Sequence, residues 1–194
     1  MDAITSFDFS ILNFIQENYR CVFLDVFLGF ISRAGEAGII WIIFSVIMLF
    51  FKKTRTAGFI ALLSMGAGYF FGDIIIKHIV NRPRPFTVDS ELNMFRNTAL
   101  LIEEPNSSSF PSGHSLVAAA FATTLLIKQR TFGLIAIPLA LIMMFSRLYN
   151  HVHYPTDVLC GAVFGVATAF LIVFIVKKTP LESKLESIGS REKQ

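Results

Sequence analysis

The chain has 194 residues, 54% of them hydrophobic and 16% charged, with 21 phenylalanines and a formal net charge of +3. At a mean hydropathy of +0.61, that much apolar surface exceeds what one soluble core of this length can bury, so the composition excludes a soluble globular domain and describes a membrane protein. The small net charge argues against nucleic acid as a partner, because the basic residues are accounted for by topology and by one candidate site.

Residues 8–20, DFSILNFIQENYR, place Ile11, Phe14 and Ile15 at helical spacing among charged positions, which predicts an amphipathic helix lying in the membrane interface. Residues 21–35, CVFLDVFLGFISRAG, carry Asp25 and Arg33 between apolar positions and either lie flat or form a short sixth span. Two aspartates and no basic residue in the first ten positions argue against a cleavable signal peptide. Five apolar runs then read as spans, which need roughly 20 residues each. They are 34–51 (interrupted only by Glu36), 56–80, 114–127, 131–145 and 154–176. The last carries Gly161, Ala162, Gly165 and Ala167, small residues suited to close helix packing. The expected fold is therefore all-α: a polytopic membrane helix bundle with five clear spans plus the N-terminal amphipathic or short sixth one. Residues 1–178 form a single domain, and a polar tail, 179–194, is expected to fray. No internal repeat is evident, and Cys21 and Cys160 form no spaced cluster and receive no role.

The basic connections are KKTRT (52–56), KQR (128–130) and KKTPLESKLESIGSREKQ (177–194). Strict alternation through five spans puts all three on one side, which the positive-inside rule makes the cytoplasm. The connections 81–113 and 146–155 then face outward together. On that side KHIVNRPRP supplies Lys77, Arg82 and Arg84, PSGH supplies Ser112 and His114, and SRLYNHVHYPTD supplies Arg147, His151, His153 and Asp157.

Each of these residues has an ordinary structural reading. Lys77 and Arg84 suit helix-end side chains reaching for the interface, Ser112 suits a helix cap, and Asp157 suits a cap for the last helix. Their joint occurrence at one level of the bundle favours chemistry instead. A phosphate needs several fixed positive donors, and Arg84 and Arg147 can grip its oxygens while Lys77 adds a point charge. Backbone N–H groups of Ser112, Gly113 and His114 at a helix N-terminus suit an anion, and Gly113 permits close approach. His153 precedes Asp157 by four residues, a spacing that can bring ring and carboxylate together, which makes His153 the candidate nucleophile. His114 on another helix is the candidate acid and then base. No carboxylate-rich metal motif or cofactor motif accompanies them, so the expected reaction is phosphoryl transfer without a metal.

Lys77 followed after six residues by Arg84-Pro85, then Pro111-Ser112-Gly113-His114, then Ser146-Arg147 with five residues before His153 and three more before Asp157, resembles the three-part signature of the type 2 phosphatidic acid phosphatases. The three parts match in order and spacing over residues 77–157, and the composite is far more specific than any one part. The resemblance implies a six-helix membrane core, a phosphohistidine on His153, protonation of the leaving group by His114, and phosphate binding by Lys77, Arg84 and Arg147 with Ser112 and Gly113. It implies a lipid phosphate as substrate. Members act on undecaprenyl pyrophosphate, phosphatidylglycerophosphate or phosphatidic acid, and the short chain with an outward site favours the first. The soluble haloperoxidases that share the signature are excluded by the apolar spans. A transporter and a catalytically silent headgroup binder are the readings from other classes.

Overall fold

A computed structural model describes residues 3–89, 102 and 105–181. Its helices are α1 (Ala3–Tyr19), α2 (Val22–Ala34), α3 (Ile39–Leu49), α4 (Arg55–Gly68), α5 (Lys77–Val80), α6 (Pro85–Val88), α7 (Gly113–Lys128), α8 (Arg130–Tyr149) and α9 (Pro155–Lys178). A π-helical stretch, Tyr69–Ile76, joins α4 to α5, and a 3₁₀ turn, Glu36–Gly38, separates α2 from α3. The described residues contain no strand.

Helix α7 is the axis of the bundle. Residues 115–122, Thr124 and Leu125 are all buried and only the last turn, at Leu126 and Ile127, is exposed, so most of the helix is enclosed and its apolar residues need no stripe. Its alanines let neighbours approach closely. On α9, Gly161, Gly165 and Ala169 recur every four residues and are buried, and a Cβ on Gly161 would stand 2.5 Å from the carbonyl oxygen of Ser112. Ala162 is half-buried and Ala167 is exposed, so the seam is narrower than the sequence suggested. A polar link, Thr124 Oγ1 donating to Ser64 Oγ at 3.1 Å, ties α7 to α4 inside the apolar core.

Three segments are long and apolar enough to cross a membrane: Arg55–Val88, Arg130–Tyr149 and Pro155–Lys178. The run 114–127 forms α7, a shorter apolar helix that the others enclose. The run 34–51 departs most from expectation, because the chain breaks at Glu36 and turns left-handed at Ala37 (φ 50) and Gly38 (φ 71). Helix α3 is left with 11 residues, or about 16 Å, half of the roughly 30 Å hydrocarbon thickness. Together with α2, to which it is bent by 52°, it makes a broken span. Three to four candidate spans thus stand where the sequence reading expected five.

Exposed Val22, Phe23, Val26 and Phe30 give α2 an outward apolar face, while Leu28 and Ser32 pack inward. Helix α1 buries Phe9, Leu12 and Ile15, and with them Asp8. At one end of the bundle Gln129 Nε2 donates to the carbonyl of Lys53 at 2.6 Å, so two of the basic connections meet there. Near the end of α9, Leu181 packs on Ile60, Val173 and Val176. The remainder of the tail, 182–194, and the stretch around Asn97 lie outside the described residues.

Candidate active site

A cavity of about 830 Å³ opens at the opposite end, and its wall includes Lys77, Arg84, Gly113, His114, Arg147 and His153. Six of the eight residues singled out by the sequence therefore share one surface. They come from four places in the chain, and each is fixed by a local device.

Lys77 begins α5 immediately after the π-helical stretch, whose wider ring carries Asp73 round to bond Lys77 Nζ at 2.6 Å. Arg84 precedes the proline that opens α6, and it is pinned by acceptors on three sides. Its Nε donates to the Ser107 carbonyl at 2.7 Å, Nη1 to the Val152 carbonyl at 2.7 Å and Nη2 to Ser107 Oγ at 3.1 Å. Arg147 lies in the last turn of α8 and is anchored by Nη1 on Ser32 Oγ of α2. All three cations are buried, at 8%, 4% and 4% exposure. A buried cluster of like charge is costly unless an anion joins it, and within the fold the Asp73 carboxylate meets Lys77.

Ser112 turns out to be the cap of α7. Its Oγ accepts from Ser115 N and Ser115 Oγ, and its own N–H donates to the Asp157 carbonyl at 3.1 Å. That N–H is therefore spent within the fold and is not free for a phosphate, a correction to the expected set. Gly113 and His114 follow in the first turn of α7, where backbone N–H groups have no partner within the helix. A Cβ on Gly113 would stand 2.6 Å from Asp73 Oδ1, so any larger residue there displaces that carboxylate.

The two histidines are held differently. His153 Nδ1 lies 2.8 Å from the Ser109 carbonyl. A carbonyl only accepts, so Nδ1 carries the proton and Nε2 keeps its lone pair, 3.4 Å from Arg84 Nη1. Burial pushes the His153 ring down to about 3 from its usual 6.5. The Asp157 carboxylate opposes this shift, and Arg84 and Arg147 reinforce it. The ring is thus neutral at physiological pH. His114 Nε2 is buried without a hydrogen-bond partner among the described residues. Its ring edge lies 3.4 Å from where a Cβ on Gly35 would sit, against the break between α2 and α3.

Asp157 does not touch His153 as closely as the four-residue spacing suggested. Its Oδ2 is 3.8 Å from His153 Nδ1, too long for a hydrogen bond. It accepts instead from Tyr154 N at 3.0 Å, from Arg82 Nη1 at 2.6 Å and from Ser109 Oγ. It occupies the third position of α9 in a capping box, with Tyr154 as the cap. The residue that fixes the His153 tautomer is Ser109, through its carbonyl, and Asp157 holds the hydroxyl of that same residue. His151, buried at φ 52, is not part of the cavity wall. Among the described residues, no three His, Cys, Asp or Glu side chains come together as a metal site.

A profile of the PAP2 superfamily matches residues 57–180. The chain belongs to the PAP2 superfamily. It is similar to an undecaprenyl-diphosphatase of Sulfolobus acidocaldarius, 31% identical over 166 residues that span 85% of this chain and 76% of that one. It is also similar to phosphatidylglycerophosphatase B of Bacillus subtilis, 32% identical over 64% of this chain and 60% of that protein. Among solved structures, a transmembrane PAP2-type phosphatidylglycerolphosphate phosphatase from Bacillus subtilis superposes with a TM-score of 0.70 at 28% identity, covering 92% of this chain and 88% of that one. The lipid phosphatase class, the all-helical fold and the membrane setting of this PAP2 protein follow.

Sequence reasoning missed Asp8, Asp73 and Ser109, and it named Arg82 among the outward cations without giving it a role. Arg82 was visible as a cation in the first signature and Asp73 stands four residues before Lys77, a helical pair spacing. Asp8 and Ser109 gave no signal, because their partners lie far away in the chain.

Proposed function

We propose that the protein is an integral membrane phosphatase that removes a phosphate from a lipid phosphate or pyrophosphate through a phosphohistidine on His153, without a metal. The observation that carries this reading is the pairing of a neutral His153, its Nε2 open to a cavity walled by Lys77, Arg84 and Arg147, with an unpartnered His114 on the same wall.

The three cations and the N–H groups of Gly113 and His114 hold the phosphate oxygens. Nε2 of His153 attacks phosphorus while the bond to the lipid oxygen breaks, and His114, which burial and the neighbouring cations keep neutral until the phosphate anion brings it a proton, gives that proton to the lipid oxygen. The Ser109 carbonyl accepts the hydrogen bond from Nδ1–H throughout and favours the positive charge that the ring acquires. His114, now neutral, takes a proton from water, whose oxygen displaces His153 from phosphorus. Phosphate leaves, and both histidines return to their starting states. The charge that a metal ion would neutralise elsewhere is met here by fixed cations.

Undecaprenyl pyrophosphate is the favoured substrate, supported by the likeness to the Sulfolobus diphosphatase. Phosphatidylglycerophosphate is the second reading, favoured by the structural likeness over 92% of the chain. The active site faces away from the cytoplasm and the C-terminus faces into it, as the basic connections at the far end of the bundle support. Purified protein in detergent with EDTA should release phosphate fastest from undecaprenyl pyrophosphate within a panel that also holds phosphatidylglycerophosphate and phosphatidic acid, and vanadate should inhibit it. Activity lost in EDTA and restored by magnesium would overturn the mechanism, and a faster phosphatidylglycerophosphate reaction would overturn the substrate.

A further inference from the structure

Asp8 is fully buried in α1, a helix whose other inward residues are Phe9, Leu12 and Ile15. A carboxylate is withdrawn from water only when partners replace its hydration. Asp8 has three: Arg82 Nη2 at 2.7 Å, Thr156 N at 3.0 Å and Thr156 Oγ1 at 2.6 Å. The Thr156 N–H belongs to the first turn of α9, where a carboxylate also meets the favourable end of the helix dipole. Asp8 therefore holds the start of α9 from a helix almost 150 residues earlier.

Arg82 stands between two carboxylates. One arm reaches Asp8, and the other reaches Asp157 Oδ1 at 2.6 Å. The guanidinium lies over the Tyr154 ring, 3.8 Å from its centroid, and Phe9 of α1 packs edge-on against the same ring. The backbone of Arg82 is fixed as well, by left-handed Asn81 (φ 43) before it and Pro83 after it. Its carbonyl accepts Ser109 N–H at 2.8 Å. Ser109 is thus gripped at both ends, by the Arg82 carbonyl at its nitrogen and by Asp157 at its hydroxyl. The carbonyl between those two grips is the one that accepts the hydrogen bond from His153 Nδ1–H.

We propose that Asp8 and Arg82 are a positioning pair for the phosphoryl-transfer reaction: α1 reaches through them to Asp157 and Ser109 and so sets the tautomer and aim of His153. The inference rests on the proposed role of His153. It assigns α1 a part in turnover beyond anchorage at the interface. A link that only fastened α1 to the bundle would need no contact with Asp157. The phosphate cradle of Lys77, Arg84, Arg147 and Gly113 makes no contact with Asp8, so binding and turnover should respond separately.

The test is steady-state kinetics of Asp8→Asn, Asp8→Glu and Asn18→Ala in detergent, with phosphate release from lipid phosphate as the signal and inhibition by vanadate as the measure of the cradle. Asp8→Asn should lower kcat roughly 10- to 100-fold, with KM and the vanadate inhibition constant within about twofold of wild type. Asp8→Glu should recover part of the loss, and Asn18→Ala, at an exposed position on the same helix, should match wild type. If Asp8→Asn does not fold, Thr156→Ala serves, since it removes the hydroxyl that donates to Asp8 and accepts from Arg82 Nη1 and leaves both charges. It should lower kcat roughly threefold to tenfold with KM unchanged. Wild-type kcat in the folded variant, or loss of vanadate inhibition in step with kcat, would overturn the inference. Absence of phosphohistidine in the wild-type enzyme would instead overturn the proposed function.

Discussion

Gly113→Ala adds one methyl group at the start of α7, in a backbone conformation that any residue adopts, so its effect isolates a single contact. The new Cβ would stand 2.6 Å from Asp73 Oδ1 and 3.4 Å from its Cγ, and the carboxylate must move. Asp73 then gives up its 2.6 Å bond to Lys77 Nζ, made between side chains only 20% and 9% exposed and so little screened by water. A charge-assisted bond in such a setting is worth about 1.5–3 kcal/mol. If the misplaced Lys77 costs the transition state a similar amount, kcat/KM for a lipid phosphate falls roughly 10- to 150-fold, at about 1.4 kcal/mol per power of ten. Thermal stability should change far less, since no core volume is altered. Asp73→Ala removes the atoms with which the methyl collides, so Gly113→Ala/Asp73→Ala should be no slower than Asp73→Ala alone. Wild-type kcat/KM in Gly113→Ala, or a double variant showing the product of both losses, would refute the reasoning.

With p-nitrophenyl phosphate, whose leaving group needs no proton, His114→Ala should recover part of the roughly 10²- to 10⁴-fold loss expected with lipid substrate; equal losses on both substrates would remove His114 from the acid role. The ring of His153, pushed down to about 3 by burial, sits below its ordinary 6.5 and so stays neutral at physiological pH. Its NMR signal, assigned by its absence in His153→Gln, should stay that of a neutral Nδ1–H ring from about pH 8 to about pH 5, and a midpoint near 6.5 would contradict the burial argument. In a background lacking Cys21 and Cys160, a cysteine near Asn97 should react with an impermeant reagent on intact cells while one at Lys52 should not, and equal labelling would contradict the outward site.

The parts of the site that are local in sequence were legible in it. Lys77, Arg84, Gly113, His114, Arg147 and His153 announce themselves through helix ends, prolines and a glycine, and the fold gathers them on one cavity wall. What escaped was the contest for each polar group. Ser112 N–H and the Asp157 carboxylate were free agents in the sequence, whereas the fold binds the first to the Asp157 carbonyl and the second to Arg82, Ser109 and Tyr154. Spacing along one helix says that two residues can meet, not that a third, brought by a distant loop, will hold one of them first. The same holds for membrane depth. Hydropathy runs straight through Glu36, but the left-handed pair Ala37 and Gly38 breaks the helix there and turns an expected span into a bent pair. Asp8 looked like part of a solvated face because its partners, Arg82 and Thr156, lie more than seventy residues away.

The claim on which the account turns is that phosphate passes through His153. Rapid quenching after mixing with substrate labelled in its phosphate tests it directly. Wild-type protein and His114→Ala should both carry acid-labile, base-stable phosphate on the polypeptide, and His153→Ala should carry none. If His153→Ala still formed that species while His114→Ala did not, the nucleophile and the acid would be exchanged and the central assignment would be wrong.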